Sequence, residues 1–189
     1  MAYITVDDLI NFAKKVPDEE DNSPQKYVDS AIEMVTKYLG YNPEEQNYTT
    51  VRRGDGGKLF ELEAKPINEI TKVLINETEI EPNLFYYEKD SHRIKFLNDD
   101  DFQKSNLYTF IYSAGYKNKL ENEKEISQVP YIIQITTLQV ADLLWESSGG
   151  NLAVNSTSFA DTGTRVFNNF SAERFLKQIE QFKIVKMAV

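Results

Sequence analysis

Apolar residues recur at helical spacing in Val6, Leu9, Ile10, Ala13 and Val16, which predicts a short first helix ended by Pro17. Thr5 stands where a cap belongs, and Asp8 three residues on completes a capping box. After the charged connection at residues 18–22, Ser23-Pro24 supplies a cap and a first-turn proline. Val28, Ala31, Ile32, Val35, Tyr38 and Leu39 then form one stripe of a second helix, and Gly40 is placed to stop it.

From Tyr48 to Tyr116 the period changes to two. "GKLFELEAKPI" sets Leu59, Glu61 and Glu63 against Phe60, Leu62 and Ala64. "ITKVLIN", "LFYYEKD", "HRIKFLN" and "LYTFIYSAGY" are rich in β-branched and aromatic residues. The pattern predicts about five short strands. Glycines 54, 56 and 57, Asn76-Glu77, Pro82-Asn83 and Asn98-Asp99-Asp100 are turn material between them.

The last of these strands stops at Ala114-Gly115-Tyr116, and residues 117–128 read as a solvated, mobile loop in which Glu121, Glu123 and Glu125 alternate with Lys119 and Lys124. Pro130 opens a third helix with a broad buried face, including Ile133, Thr136, Thr137, Val140 and Leu144, ended by Ser147-Ser148-Gly149-Gly150. "NLAVNSTSFADTGTRVFNNF" has no clear period and reads as an extended or looped segment. Ser171 caps a last helix with Ala172, Phe175, Ile179 and Phe182 on one face.

At 189 residues the chain is long enough for one domain with a sizeable core. Hydrophobic residues are 41% and charged residues 27%, so it should fold. The formal charge of -9 argues against nonspecific attraction to a phosphate backbone. Without cysteine there is neither a disulfide framework nor a thiolate metal site. "MAYITVDDLINFAKK" has no basic start before an apolar core, and apolar residues never run together far enough for a membrane span. Synthesis and use in a cytosol are the expectation, with no membrane partner.

The candidate chemistry is thin. "RRGDGG", Arg52 to Gly57, is not followed by the Lys-Ser/Thr of a phosphate loop and leads into a strand, so it reads as a turn. Asp99-Asp100-Asp101 lacks the alternating ligands of a calcium loop and reads as a solvated turn. His92 is the only histidine, which excludes a histidine pair for zinc, and no Gly-x-Ser-x-Gly elbow offers it a nucleophile. No catalytic residue, cofactor or metal is expected.

The aromatic and apolar residues late in the chain are better candidates for binding. Trp145, Phe159, Phe167, Phe170 and Phe175 should divide between core and neighbour contacts, because Phe159, Phe167 and Phe170 lie in an otherwise polar segment. The apolar end "IVKMAV" carries Ile184, Val185, Met187 and Val189, which gain little unless a neighbour covers them.

A first helix beginning "YITVDDL", a second ending "YLGY", a β-rich part carrying "LELEAKPINEITKVLIN", a strand closing in "YSAGY" and a helix beginning "VPYIIQITTLQVADLLWE" follow in an order that resembles the head-tail connector, or head-completion, proteins of tailed bacteriophages. The resemblance covers residues 3–146. It implies an α+β fold: a helical bundle of about four helices with an inserted antiparallel β-rich region. The single domain would comprise a helical body at 1–47 and 129–184, a β-rich insertion at 48–116 and a C-terminal tail at 184–189. The resemblance further implies a virion neck protein that forms a homo-oligomeric ring, generally dodecameric, docked beneath the portal protein. Such a ring lets DNA pass through its lumen and gives the tail its attachment surface. An acidic lumen would keep the duplex sliding. The family's serine-rich segment before a last helix is matched loosely by Ser156, Ser158 and the helix after Ser171.

Two other readings compete with the connector. One is another neck or tail-completion ring with different neck or tail partners. The other, from a different class, is a carbohydrate-binding module or carboxylate hydrolase built on the aromatic β region around Phe85, Tyr86, Tyr87, Tyr108 and Tyr112.

Overall fold

The computed structural model describes residues 2–16, 23–88, 90–121, 124–148, 156–159, 163–166 and 172–184. The described residues fall into two units, one drawn from Met1–Tyr38 and Pro130–Lys183, the other from Leu39–Val129 and Ile184–Val189.

In the first unit, α1 (Val6–Ala13) begins with the capping box the sequence spells. The Thr5 hydroxyl accepts from the Asp8 N–H at 3.2 Å, and the Asp8 carboxylate accepts from the Thr5 N–H at 2.8 Å. The helix ends before Pro17: Lys14 takes a left-handed conformation at φ 53° and terminates it. α2 (Ser23–Leu39) buries Val28, Ala31, Val35 and Leu39, the expected stripe, and Gly40 at φ 84° follows its last turn.

α3 (Tyr131–Ser148) is the element around which this unit packs. Its residues Ile133, Thr136, Thr137, Leu138, Val140 and Ala141 are all buried. Thr137 reaches the Ile133 carbonyl at 2.8 Å and the Tyr3 hydroxyl at 3.0 Å, which ties the N-terminus to the helix. Strands β10 (Ser156–Phe159) and β11 (Gly163–Val166) pair antiparallel, where the sequence reads as an extended or looped segment. The last helix is a single turn, α4 (Glu173–Leu176), continued as a 3₁₀ helix over Lys177–Phe182. Leu176, Ile179 and Phe182 recur at spacing three, the period of a 3₁₀ helix, and Leu176 and Ile179 are buried. Ser171, expected as its cap, lies outside the described residues.

The second unit is built of strands. β1 (Gln46–Arg53), β7 (Leu107–Ala114), β3 (Ile67–Ile75) and β4 (Thr78–Ile80) form an antiparallel sheet in the order β1-β7-β3-β4. β2 (Phe60–Glu61), β6 (Arg93–Phe96) and β5 (Phe85–Tyr87) form a second, with β6 in the middle. β7 alternates cleanly, burying Tyr108, Phe110, Tyr112 and Ala114. Phe60, Phe85, Phe96 and Phe102 meet Tyr108 and Phe110 with ring centroids between 4.6 and 6.5 Å, the separations that aromatic pairs favour. Asn76 and Glu77 both have positive φ, 48° and 69°, and make the two-residue turn between β3 and β4.

The strand of the "YSAGY" stretch ends at Gly115 because another segment takes over its backbone. Gly115 has φ 106°, and a Cβ there would collide with the Glu44 carbonyl, so only glycine fits. The Tyr116 N–H then donates to Pro43 O at 2.7 Å, and the Glu45 N–H to Tyr116 O at 3.2 Å.

This architecture corrects the expected helical bundle with a decorating β insertion. The chain is a mixed α+β fold with more strand than helix: four helices, one a single turn, stand beside eleven strands among the described residues. Much of the weight lies in the β unit, since Tyr108, Tyr112, Phe60, Phe102 and Phe110 are the bulkiest fully buried side chains of the described residues. The last helix shortens to a single α turn because Lys177–Phe182 takes the three-residue period of a 3₁₀ helix in place of the 3.6-residue one. Residues 117–128, read as a loop, also pair as β8 (Asn118–Glu121) and β9 (Lys124–Ser127).

Candidate assembly surfaces

Side chains that could hold a neighbour are those that leave the two cores. In the helical unit, Trp145 near the end of α3 is half-buried and stacks on Tyr27 of α2, with ring centroids 6.2 Å apart and planes 24° from parallel. The Lys15 ammonium lies 5.2 Å from the indole centroid and is drawn there by Asp142 at 2.6 Å and Glu146 at 3.7 Å. Trp145 is therefore held between helices of its own chain, with one part open. Tyr131, the first residue of α3, is 74% exposed, and Phe12 of α1 and Val16 are exposed as well.

In the β unit, the β8–β9 hairpin sets Lys119 opposite Ile126 and Leu120 opposite Glu125. Facing pairs share one side of a hairpin, so Leu120 and Ile126 lie on opposite sides of it. Leu120 is 72% exposed, and Ile126 is exposed too. The sequence hides this pair inside a charged run, where a single leucine and a single isoleucine carry no visible period. They become legible only from their exposure in the hairpin.

The residues expected at an interface are placed as follows. Phe175 on α4 is half-buried, and Ile184 is buried, with its N–H donating to Leu39 O at 3.0 Å. Phe159 ends β10 opposite Gly163. Phe167, Phe170, Val185, Met187 and Val189 lie outside the described residues. Of the described members of the set, Trp145, Phe159 and Phe175 belong to the helical unit and Ile184 to the β unit.

The aromatic β region has little of a sugar-stacking platform. Phe85, Tyr108 and Tyr112 are interior, and their neighbours show why. The Tyr112 hydroxyl accepts the Glu63 N–H at 2.9 Å and meets the Thr50 hydroxyl at 3.1 Å, while the Tyr108 hydroxyl accepts the Gln103 N–H at 3.0 Å. Burial pushes the Tyr112 phenol above its ordinary pKa. These tyrosines staple loops to the sheet. Tyr86 is exposed, with the Lys95 ammonium 5.3 Å from its ring centre.

The polar candidates are dispersed. Asp99 pairs with Lys58, which holds its carboxyl below the usual range, and Asn98 bonds Asp100. No cluster of three His, Cys, Asp or Glu side chains suited to a metal occurs among the described residues. His92 is mostly buried, and Glu61 approaches its Nε2 at 3.9 Å. Burial lowers the His92 pKa, Glu61 works against that shift, and Arg93 and Lys65 reinforce it. Among the described residues no helix is long and apolar enough to cross a membrane.

A family model described as head completion protein matches residues 2–137. No curated protein matches the chain. Three solved structures share the fold at low identity. A chain of the neck of an empty gene transfer agent (GTA) particle computed with C6 symmetry aligns at TM-score 0.61 and 11% identity, covering 98% of this chain and 92% of that one. A chain of the virion of a native GTA particle aligns at TM-score 0.60 and 12% identity, covering 98% and 92%. A chain of the neck of a native GTA particle computed with C12 symmetry aligns at TM-score 0.54 and 12% identity, covering 95% and 90%.

Proposed function

The chain belongs to the head completion protein family, and on that premise we propose that it is a non-enzymatic structural protein of the virion neck, assembled as a ring between portal and tail. The observation that carries this reading is the family match, which spans the first two helices and residues 39–129 of the β unit. The fold shared with chains of GTA neck and virion particles supports it, and the two neck structures were computed with C6 and C12 symmetry.

In this reading copies of the chain surround the DNA exit, the portal protein lies on one side and other neck or tail proteins on the other. The net charge of -9 suits a lumen that lets the duplex slide. A closed ring needs two different complementary patches on each subunit. Trp145 and Phe175 of the helical unit are proposed for one, and residues 185–189 for a separate contact with a partner. Leu120, exposed on one side of the β8–β9 hairpin, is proposed for the other.

Antibody labelling of intact virions tests the location. Label confined to the neck is the expected result, and label over the capsid shell or at the tail tip would overturn it.

A further inference from the structure

The sequence "RRGDGGK" is neither a phosphate loop nor merely a turn: it forms the rim of a cavity of about 310 Å³ in the β unit, shared with Glu61 and Arg93. The cations of this cavity are not equivalent. The Arg93 Nε and Nη2 both donate to Glu61 Oε1, at 3.2 and 3.0 Å, so each neutralises the other. Lys58 is tied to Asp99. Arg52 has neither an ion pair nor a side-chain hydrogen bond among the described residues. Its guanidinium lies over the ring of Phe60 at 4.7 Å, and that ring is buried in the aromatic core.

A guanidinium held over a buried ring has lost much of its freedom but keeps its N–H donors for a ligand. We propose that this cavity binds a carboxylate, with Arg52 as its principal donor, and that in the assembled ring the carboxylate is an Asp or Glu side chain of the neighbouring copy. The second copy as occupant rests on the ring reading; carboxylate binding does not. Charge complementarity favours that occupant, because the chain carries 30 Asp and Glu against 21 Lys and Arg. Arg52 also lies on β1, an edge strand, where an incoming segment can reach it. A duplex is the less suited ligand. Asp55, which pairs with no cation among the described residues, lines the cavity and would face the many phosphates of a polyanion.

Asp55 sharpens the test. One of its oxygens accepts the Gly57 N–H at 2.8 Å, a role that asparagine keeps, while its charge opposes an incoming anion. The experiment is a titration of the whole ¹⁵N-labelled chain with a hexaglutamate peptide, read from the arginine Nε–Hε resonances. The expected result is a saturable shift at Arg52, weakened at least tenfold in Arg52→Gln and strengthened in Asp55→Asn, with the backbone amide spectra of both variants otherwise unchanged. No saturable shift at Arg52, or equal binding by Arg52→Gln, would overturn the pocket. Tighter binding of inorganic phosphate or of a short DNA duplex would replace the carboxylate by a phosphate.

The mass of the assembled protein tests the occupant separately. Assembly of Arg52→Gln should need at least tenfold more protein than that of the unaltered chain. Equal assembly would overturn the second copy as occupant, and an unaltered chain that never assembles would overturn it together with the ring. The peptide titration distinguishes either outcome from failure of the pocket itself.

Discussion

Two neighbouring threonines of α3 separate a used hydroxyl from an idle one. Thr136 and Thr137 are both buried, but Thr137 bonds Tyr3 and Ile133, whereas the Thr136 Oγ1 has no partner among the described residues. Removing a hydroxyl that is satisfied loses its bonds, and removing one that is not relieves a desolvation cost. Thr137→Val should therefore destabilise by about 1–2 kcal/mol, while Thr136→Val should be neutral or stabilising. Urea midpoints of the two variants check the difference. His92 makes a second prediction. Its folded pKa lies below the ordinary value of about 6.5 because it is buried, so below that pH the unfolded chain takes up a proton the folded chain resists. Stability should fall as pH drops through that value toward the folded pKa, and less in His92→Gln. Equal loss in both proteins between pH 7.5 and 5.5 would show that His92 contributes nothing.

At the scale of elements, what was legible in the sequence depended on how local its cause is. The Thr5 capping box, the Gly40 stop and the alternation of β7 each rest on residues within a few positions of one another, and the structure has all three. Gly115 is different. Its necessity comes from Glu44, far away in the chain, which no local pattern could reveal. The β8–β9 hairpin reads as a loop, and the β10–β11 segment only as extended or looped, because polar strands leave no two-fold hydrophobic signal. The last helix was misjudged because apolar spacings of three and four overlap in so short a segment. The β3–β4 turn yields a prediction here. Glu77 occupies a left-handed conformation that glycine adopts at no steric cost. Glu77→Gly should stabilise by about 0.5–1 kcal/mol, seen as a raised urea midpoint.

For the molecule as a whole, the family order of elements was readable while the distribution of its mass was not. The resemblance drew attention to the helices, yet the largest buried aromatics lie between β-sheets. The interface residues were legible only as apolar excess. Ile184 shows the limit: it belongs to the apolar end of the sequence, but it is buried and closes against Leu39. A truncation that keeps Ile184 and removes residues 185–189 should therefore leave the unfolding midpoint unchanged while weakening assembly. Unchanged assembly would remove that segment from the proposed contacts.

The central claim is that this chain forms a ring on the portal. Light scattering with negative-stain imaging, on the purified chain alone and mixed with portal protein, tests it most directly. The account predicts a ring, or a stable complex capping the portal, with a mass many times that of one chain. A chain that remains monomeric both alone and beside the portal would contradict it.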